Sequence, residues 1–162
     1  MLEEKRMSES SPAQRGMYFE EFKAGLRIIS AGRTVTEADI ALFAGLSGDF
    51  NQIHVDAEYS KNSPFGARVA HGLLGLSIAS GLLVQTGFME GTVMAFREVN
   101  EWNFIKPIYI GDTIHVEAEV KETKAIPRIG GGSINIVLDV KNQQGETVMK
   151  GSWTALIAAR PK

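Results

Sequence analysis

An α+β domain, with a curved antiparallel sheet wrapped around one buried helix, is the fold class this sequence predicts. Three observations predict it. Residues 72–85 run apolar almost all round, as a helix does when it is buried on several sides. Residues 113–121 alternate, with Ile114, Val116, Ala118 and Val120 set against His115, Glu117, Glu119 and Lys121, and Ile134, Ile136, Leu138 and Val140 repeat the pattern. The turn signals Gly130-Gly131-Gly132 and Gln143-Gln144-Gly145-Glu146 join these runs to a last strand at residues 147–158, giving an antiparallel meander. A sheet with one apolar face must cover it, and the helix is the only element able to do so.

The elements follow in order. Residues 1–16, rich in Ser, Glu and Lys, read as a flexible tail with a second candidate start at Met7. Residues 17–162 read as one domain, ordered from about Tyr18-Phe19. Residues 26–35 read as a first strand, reached through Gly25. Thr36 has the place of an N-cap and Asp39 that of its capping-box partner. The short helix that follows puts Ile40, Phe43 and Leu46 on one face and ends at Ser47-Gly48, where glycine takes up the left-handed conformation. Residues 49–54 then form a short polar loop. Asp56 caps a further helical turn, and Pro64 and Gly66 mark a loop before the long helix. Residues 92–97 and 101–106 read as two strands. The first is an exposed edge, which invites pairing with a second copy of the chain. On the last strand Met149, Trp153, Ala155 and Ile157 share a face.

Composition narrows the function classes. A chain of 162 residues, 44% hydrophobic, favours one domain with a real core. Seventeen basic and nineteen acidic side chains leave a net charge of −2 with no large like-charge block, so no nucleic-acid footprint is expected. With no cysteine, disulfides, thiolate metal sites and cysteine nucleophiles drop out, and a reducing cytoplasm fits. No signal peptide is read at the N-terminus. The longest apolar run, residues 73–84, is broken by glycine and serine and is too short for a membrane span. The scattered histidines and the lack of ligand-spaced carboxylates predict no metal site. The sequence has neither a Gly-x-Ser-x-Gly elbow nor a glycine-rich phosphate loop after a strand, which argues against a serine hydrolase and a nucleotide fold.

The chemistry concentrates in three segments. Ser47-Gly48-Asp49-Phe50-Asn51-Gln52-Ile53-His54-Val55-Asp56 sets an aspartate and a histidine five positions apart. A carboxylate and an imidazole can share one water, each accepting or donating a proton. An isolated pair of this kind is more often an Asx-turn aspartate beside a surface histidine. Phe65-Gly66-Ala67-Arg68-Val69-Ala70-His71-Gly72 leads into the apolar helix, whose first N–H groups are free to meet an oxyanion. The third segment is Phe104-Ile105-Lys106-Pro107-Ile108-Tyr109-Ile110-Gly111-Asp112-Thr113.

In this order the segments resemble the MaoC-like family of (R)-specific enoyl-CoA hydratases, and the resemblance covers about residues 17–158. It departs at Gln52, where the family usually has proline. The resemblance implies the hotdog fold and reversible syn hydration of a trans-2-enoyl thioester to the (R)-3-hydroxyacyl product. It implies that Asp49 and His54 hold the reacting water and that the Gly72 N–H polarises the thioester carbonyl. It implies that Ser80, two helical turns after Gly72, lines the acyl site. Asn51 either orients Asp49 at the substrate or closes the turn, and His71 supports the loop or helix start. The family needs no organic cofactor or metal, and coenzyme A comes as part of the substrate. The partners implied are an acyl-CoA thioester and a second copy in a homodimer or higher oligomer, with no nucleic acid or membrane, in the cytoplasm. Lys61, Arg68, Lys106, Lys124 and Arg128 are candidates for coenzyme A phosphates by charge only. Two rivals share the fold: a thioesterase, which directs water to the carbonyl carbon, and a noncatalytic acyl-thioester binder.

Overall fold

The computed structural model describes residues 16–162, so all but the last residue of the expected N-terminal tail lies outside the described residues. In chain order the elements are β1 (Arg27–Ile29), β2 (Arg33–Thr34), α1 (Glu37–Ser47), α2 (Gln52–Val55), α3 (Ala57–Lys61), α4 (Gly72–Gln85), β3 (Val93–Phe104), β4 (Thr113–Ile126), β5 (Gly131–Lys141) and β6 (Thr147–Ala158). The strands form one antiparallel sheet in the order β1-β4-β5-β6-β3, with β2 also paired to β4. Helix α4 spans the expected residues. Its buried positions Leu74, Ile78, Ala79, Leu82 and Leu83 share one core with Val116, Ile136, Leu138, Met149 and Trp153 of the sheet. This is the hotdog fold, with the meander β4-β5-β6 at its centre as the alternating sequence predicts. Among the described residues no helix is long and apolar enough to cross a membrane.

Five local expectations need correction. Residues 26–35 make two strands instead of one. Ser30, 8% exposed, interrupts the ladder, and its hydroxyl accepts the Val116 N–H at 2.9 Å in place of a backbone carbonyl. Conversely, the two strands expected at residues 92–97 and 101–106 are one long β3. The apparent break is a bulge: the register shifts between Asn100 and Asn103, and Glu101 takes φ 49°. Gly151 faces this bulge, where a Cβ would lie 2.6 Å from the Trp102 ring. The bulged strand is the sheet edge, as expected for its first half.

The hairpin tip also moves. The turn is Pro127–Ile129 followed by left-handed Gly130, whereas Gly131 and Gly132 already belong to β5 and are buried. They are glycine because β6 and Phe19 press on them: a Cβ on Gly131 would strike the Ile157 carbonyl, and one on Gly132 the Phe19 ring. In α1, Ile40 is buried and Phe43 packs on the core, but Leu46 is 84% exposed and Ala44 is buried instead. Six residues at about 100° each carry Leu46 roughly 120° away from Ile40, whereas Ala44, one turn on, stays on its face. The cap of α1 is as expected: Thr36 accepts the Asp39 N–H, and the Asp39 carboxylate accepts the Thr36 N–H at 2.8 Å. Helix α4 is less enclosed than its composition suggests, since Leu73 and Val84 are exposed on its outer side.

Candidate active site

The first site segment is folded by a chain of small caps. Helix α1 closes at Gly48, whose φ of 76° turns the chain and whose N–H reaches the Ala44 carbonyl at 2.8 Å. The Ser47 hydroxyl donates to the Phe43 carbonyl and accepts the Asp49 N–H. The Asp49 carboxylate accepts the Asn51 N–H at 3.2 Å, and the Asn51 side chain accepts the Ile53 N–H at 3.3 Å, which caps α2. Gln52 is therefore the first helical residue of α2, a position that suits proline but does not require it. Asp56 caps α3, as its sequence position suggests, by accepting the Tyr59 N–H at 2.9 Å.

His54 is thus not on a loop but on a helical turn, and at 7% exposure it is no surface histidine. Its Nδ1 donates to the Val69 carbonyl at 2.8 Å, because a carbonyl can only accept. In the neutral ring this leaves Nε2 as the open acceptor. The Val69 N–H returns a bond to the Ile53 carbonyl at 3.1 Å, so the two site segments are laced together by backbone.

His71 precedes α4 and is 2% exposed. Its Nε2 donates to the Asp49 carbonyl at 2.9 Å, and its ring stacks on that of His54 with centroids 3.8 Å apart and planes at 28°. Gly72 opens α4, in the turn whose N–H groups have no partner within the helix. The Phe104 ring lies against it, 2.8 Å from where a Cβ would stand.

A cavity of about 430 Å³ joins these residues; His54, His71, Gly72, Phe65, Phe104 and Met149 are among its lining. The volume suits the reacting end of a substrate. Asp49 is exposed beside it, with a carboxylate oxygen within 4.8 Å of a ring nitrogen of His54 and of His71. One water can bridge such a gap. The structure therefore brings together Asp49, His54 and Gly72. It does not place Asn51 or Ser80 in the lining, and Asn51 is engaged in closing the turn.

The histidines are less scattered than the sequence suggests, since Asp49, His54 and His71 form a three-residue group of the kind that can hold a cation. His115, expected to face solvent or pair, lies 3.5 Å from Glu117 on β4.

Of the candidate cations, Lys106 alone lines the cavity, and its ammonium is held by Glu146 at 2.6 Å. The Lys106 and then the Asn142 hydrogen bonds keep the Glu146 carboxyl below the usual carboxylate range. Lys61 and Arg68 pair with Glu58 and Glu37 instead. Sequence reasoning missed the reach of His71: its spacing from Asp49 carries no signal, because the two meet only through the fold.

The hotdog fold, with a cavity at the start of its central helix, defines the class of protein. The comparisons give the family. Residues 26–141 match the MaoC-like domain model, and the chain belongs to that family. It is 34% identical over 143 residues to the (R)-specific enoyl-CoA hydratase of Rhodospirillum rubrum, covering 88% of this chain and 93% of that protein. It is 42% identical over 104 residues to protein MaoC of Klebsiella aerogenes, covering 64% of this chain but only 30% of that longer protein. Among solved structures, a monoamine oxidase regulatory protein from Archaeoglobus fulgidus superposes with a TM-score of 0.84 at 40% identity, covering 90% of this chain and 97% of the other.

Proposed function

We propose that the protein is a hydro-lyase that reversibly adds water, in the syn sense, to trans-2-enoyl-CoA to give (R)-3-hydroxyacyl-CoA. The observation that carries this reading is the Asp49 carboxylate and the His54 ring within reach of one water, beside the N-terminus of α4. Asp49 and His54 hold that water between them. As its oxygen bonds to the β-carbon, one of the pair takes its proton, and the π electrons move through the α-carbon onto the thioester oxygen. The Gly72 N–H and the helix dipole meet that charge, a donor worth about 3–4 kcal/mol by analogy with oxyanion holes. The enolate then collapses as the other member of the pair, protonated at the outset, delivers its proton to the α-carbon, and the proton taken from water passes across the pair to restore it for the next turnover. Both groups stand on one side of the substrate, which makes the addition syn.

In this reading Asn51 keeps Asp49 turned toward the substrate by closing its turn. Ser80, about 12 Å along α4 from Gly72, meets the far part of the acyl chain. The thioester activates its own β-carbon, so no organic cofactor or metal is required, and coenzyme A arrives with the substrate. We assign the protein to the cytoplasm and to a homodimer built on the β3 edge, with no nucleic-acid or membrane partner. The R. rubrum relative, named for this reaction, supports the reading.

The test is loss of enoyl-thioester absorbance when trans-2-enoyl-CoAs of increasing chain length are mixed with the purified protein, with free thiol followed in parallel. Absorbance loss without thiol is the expected result. Thiol release would replace the hydratase with a thioesterase, and binding without either change would leave a noncatalytic carrier.

A further inference from the structure

His71 touches both members of the proposed pair without being one of them. Its Nε2–H reaches the backbone carbonyl of Asp49 across 22 positions of sequence. Its ring stacks on that of His54, and it also meets the Phe43 ring of α1 with centroids 5.0 Å apart. At 2% exposure it has little rotamer freedom, and its Nδ1 has no hydrogen-bond partner among the described residues. A histidine that leaves a buried ring nitrogen unpaired is costly for a residue that merely fills space. A phenylalanine would fill the same stack without that cost, and a glutamine would make the same bond without a ring.

We infer that His71 is a positioning residue that sets the aspartate and the histidine relative to one another. The inference rests on the hydratase reading for its kinetic consequence, but not for its structural one. The bond to the Asp49 carbonyl fixes the backbone from which the carboxylate projects. The stack fixes the plane of the His54 ring, while the Val69 carbonyl fixes its tautomer. Remove the bond and the carboxylate swings on a turn otherwise held by Ser47 and Asn51; remove the ring and the His54 imidazole can tilt.

Two variants separate the halves. His71→Phe keeps the ring and loses the donor; His71→Gln keeps a donor and loses the ring. Each is expected to lower kcat by about tenfold to a hundredfold, the scale of small misplacements, with KM changed less than threefold. NMR of ring-labelled histidine gives the second readout. The His54 Nδ1–H is buried and bonded to the Val69 carbonyl, so its resonance should exchange slowly in the wild type, persist in His71→Phe and be lost by fast exchange in His71→Gln. A purely structural role would lower the melting temperature while leaving kcat of the folded protein and the His54 resonance unchanged, and that result overturns the inference. If the wild type turns over no enoyl thioester, the hydratase reading fails while the resonance still decides whether His71 holds His54. If one variant does not fold, the other still decides: an unchanged kcat in His71→Phe, or an unchanged kcat and resonance in His71→Gln, refutes the positioning role.

Discussion

Asp49 and His54 reach the cavity by different means, one on an exposed Asx turn and the other buried on a helical turn with its tautomer set by a carbonyl. Neither side chain belongs to the core packing that holds the sheet and α4 together. Asp49→Asn and His54→Gln should therefore leave the fold intact and each lower hydration at least about a hundredfold, measured as enoyl-CoA absorbance loss on protein of unchanged circular dichroism. Near-normal turnover in either variant would remove that residue from the mechanism. Gly72 poses a different test, because an alanine keeps the N–H but sets its Cβ 2.8 Å from the Phe104 ring. Gly72→Ala should lower both melting temperature and turnover, the latter by about tenfold. Adding Phe104→Leu should recover part of each. If it recovers neither, Phe104 is not the obstacle.

At the scale of elements, α1 matters because its C-terminus launches the site segment. Its N-terminus is secured by Thr36 and Asp39, with Arg33 bonded to the same carboxylate. Burial pushes the Asp39 carboxyl up, but bonds from the Thr36 N–H and hydroxyl and from Arg33 outweigh it and hold the group below its ordinary range. A carboxyl depressed in the folded state stabilises the protein above its unfolded pKa, near 3.9, and that contribution is lost as pH falls through the lower folded value. Asp39→Ala should therefore cost about 1 kcal/mol near neutral pH, by denaturant melts. The gap from wild type should narrow progressively below about pH 4. A gap that stays constant down to pH 2 would mean that the carboxylate charge contributes nothing to the cap.

For the molecule as a whole, the open question of partnership lies on β3, the edge of the sheet. Val93, Met94, Phe96, Val99 and Phe104 are each more than two-fifths exposed along this one strand. A long apolar edge is a liability that a second copy would remove by continuing the sheet. Val99→Lys should shift the protein from dimer to monomer in sedimentation velocity, with the circular dichroism spectrum retained. A wild-type protein that sediments as a monomer at micromolar concentration would remove the homodimer from the reading.

Much of this was legible in the sequence, because it depends on neighbours along the chain. Period-two alternation marks β4 and β5, a run apolar almost all round marks α4, and Thr36, Gly48 and Asp56 mark helix ends through bonds that span a few residues. The same locality makes the Asp49 and His54 segment readable. What only the tertiary structure decided depends on contacts between distant segments. Ser30 breaks a strand because Val116 comes to it, and Gly131 and Gly132 are glycine because β6 and Phe19 press on them. Leu46 faces outward because helix rotation is fixed by what Ile40 and Ala44 meet. His71 lies across both Asp49 and His54 because backbone bonds from Val69 to Ile53 and from Ala70 to Ile108 carry it there. Local bonding rules are written into short stretches of sequence, whereas close approach in space is set by the packing of the whole chain.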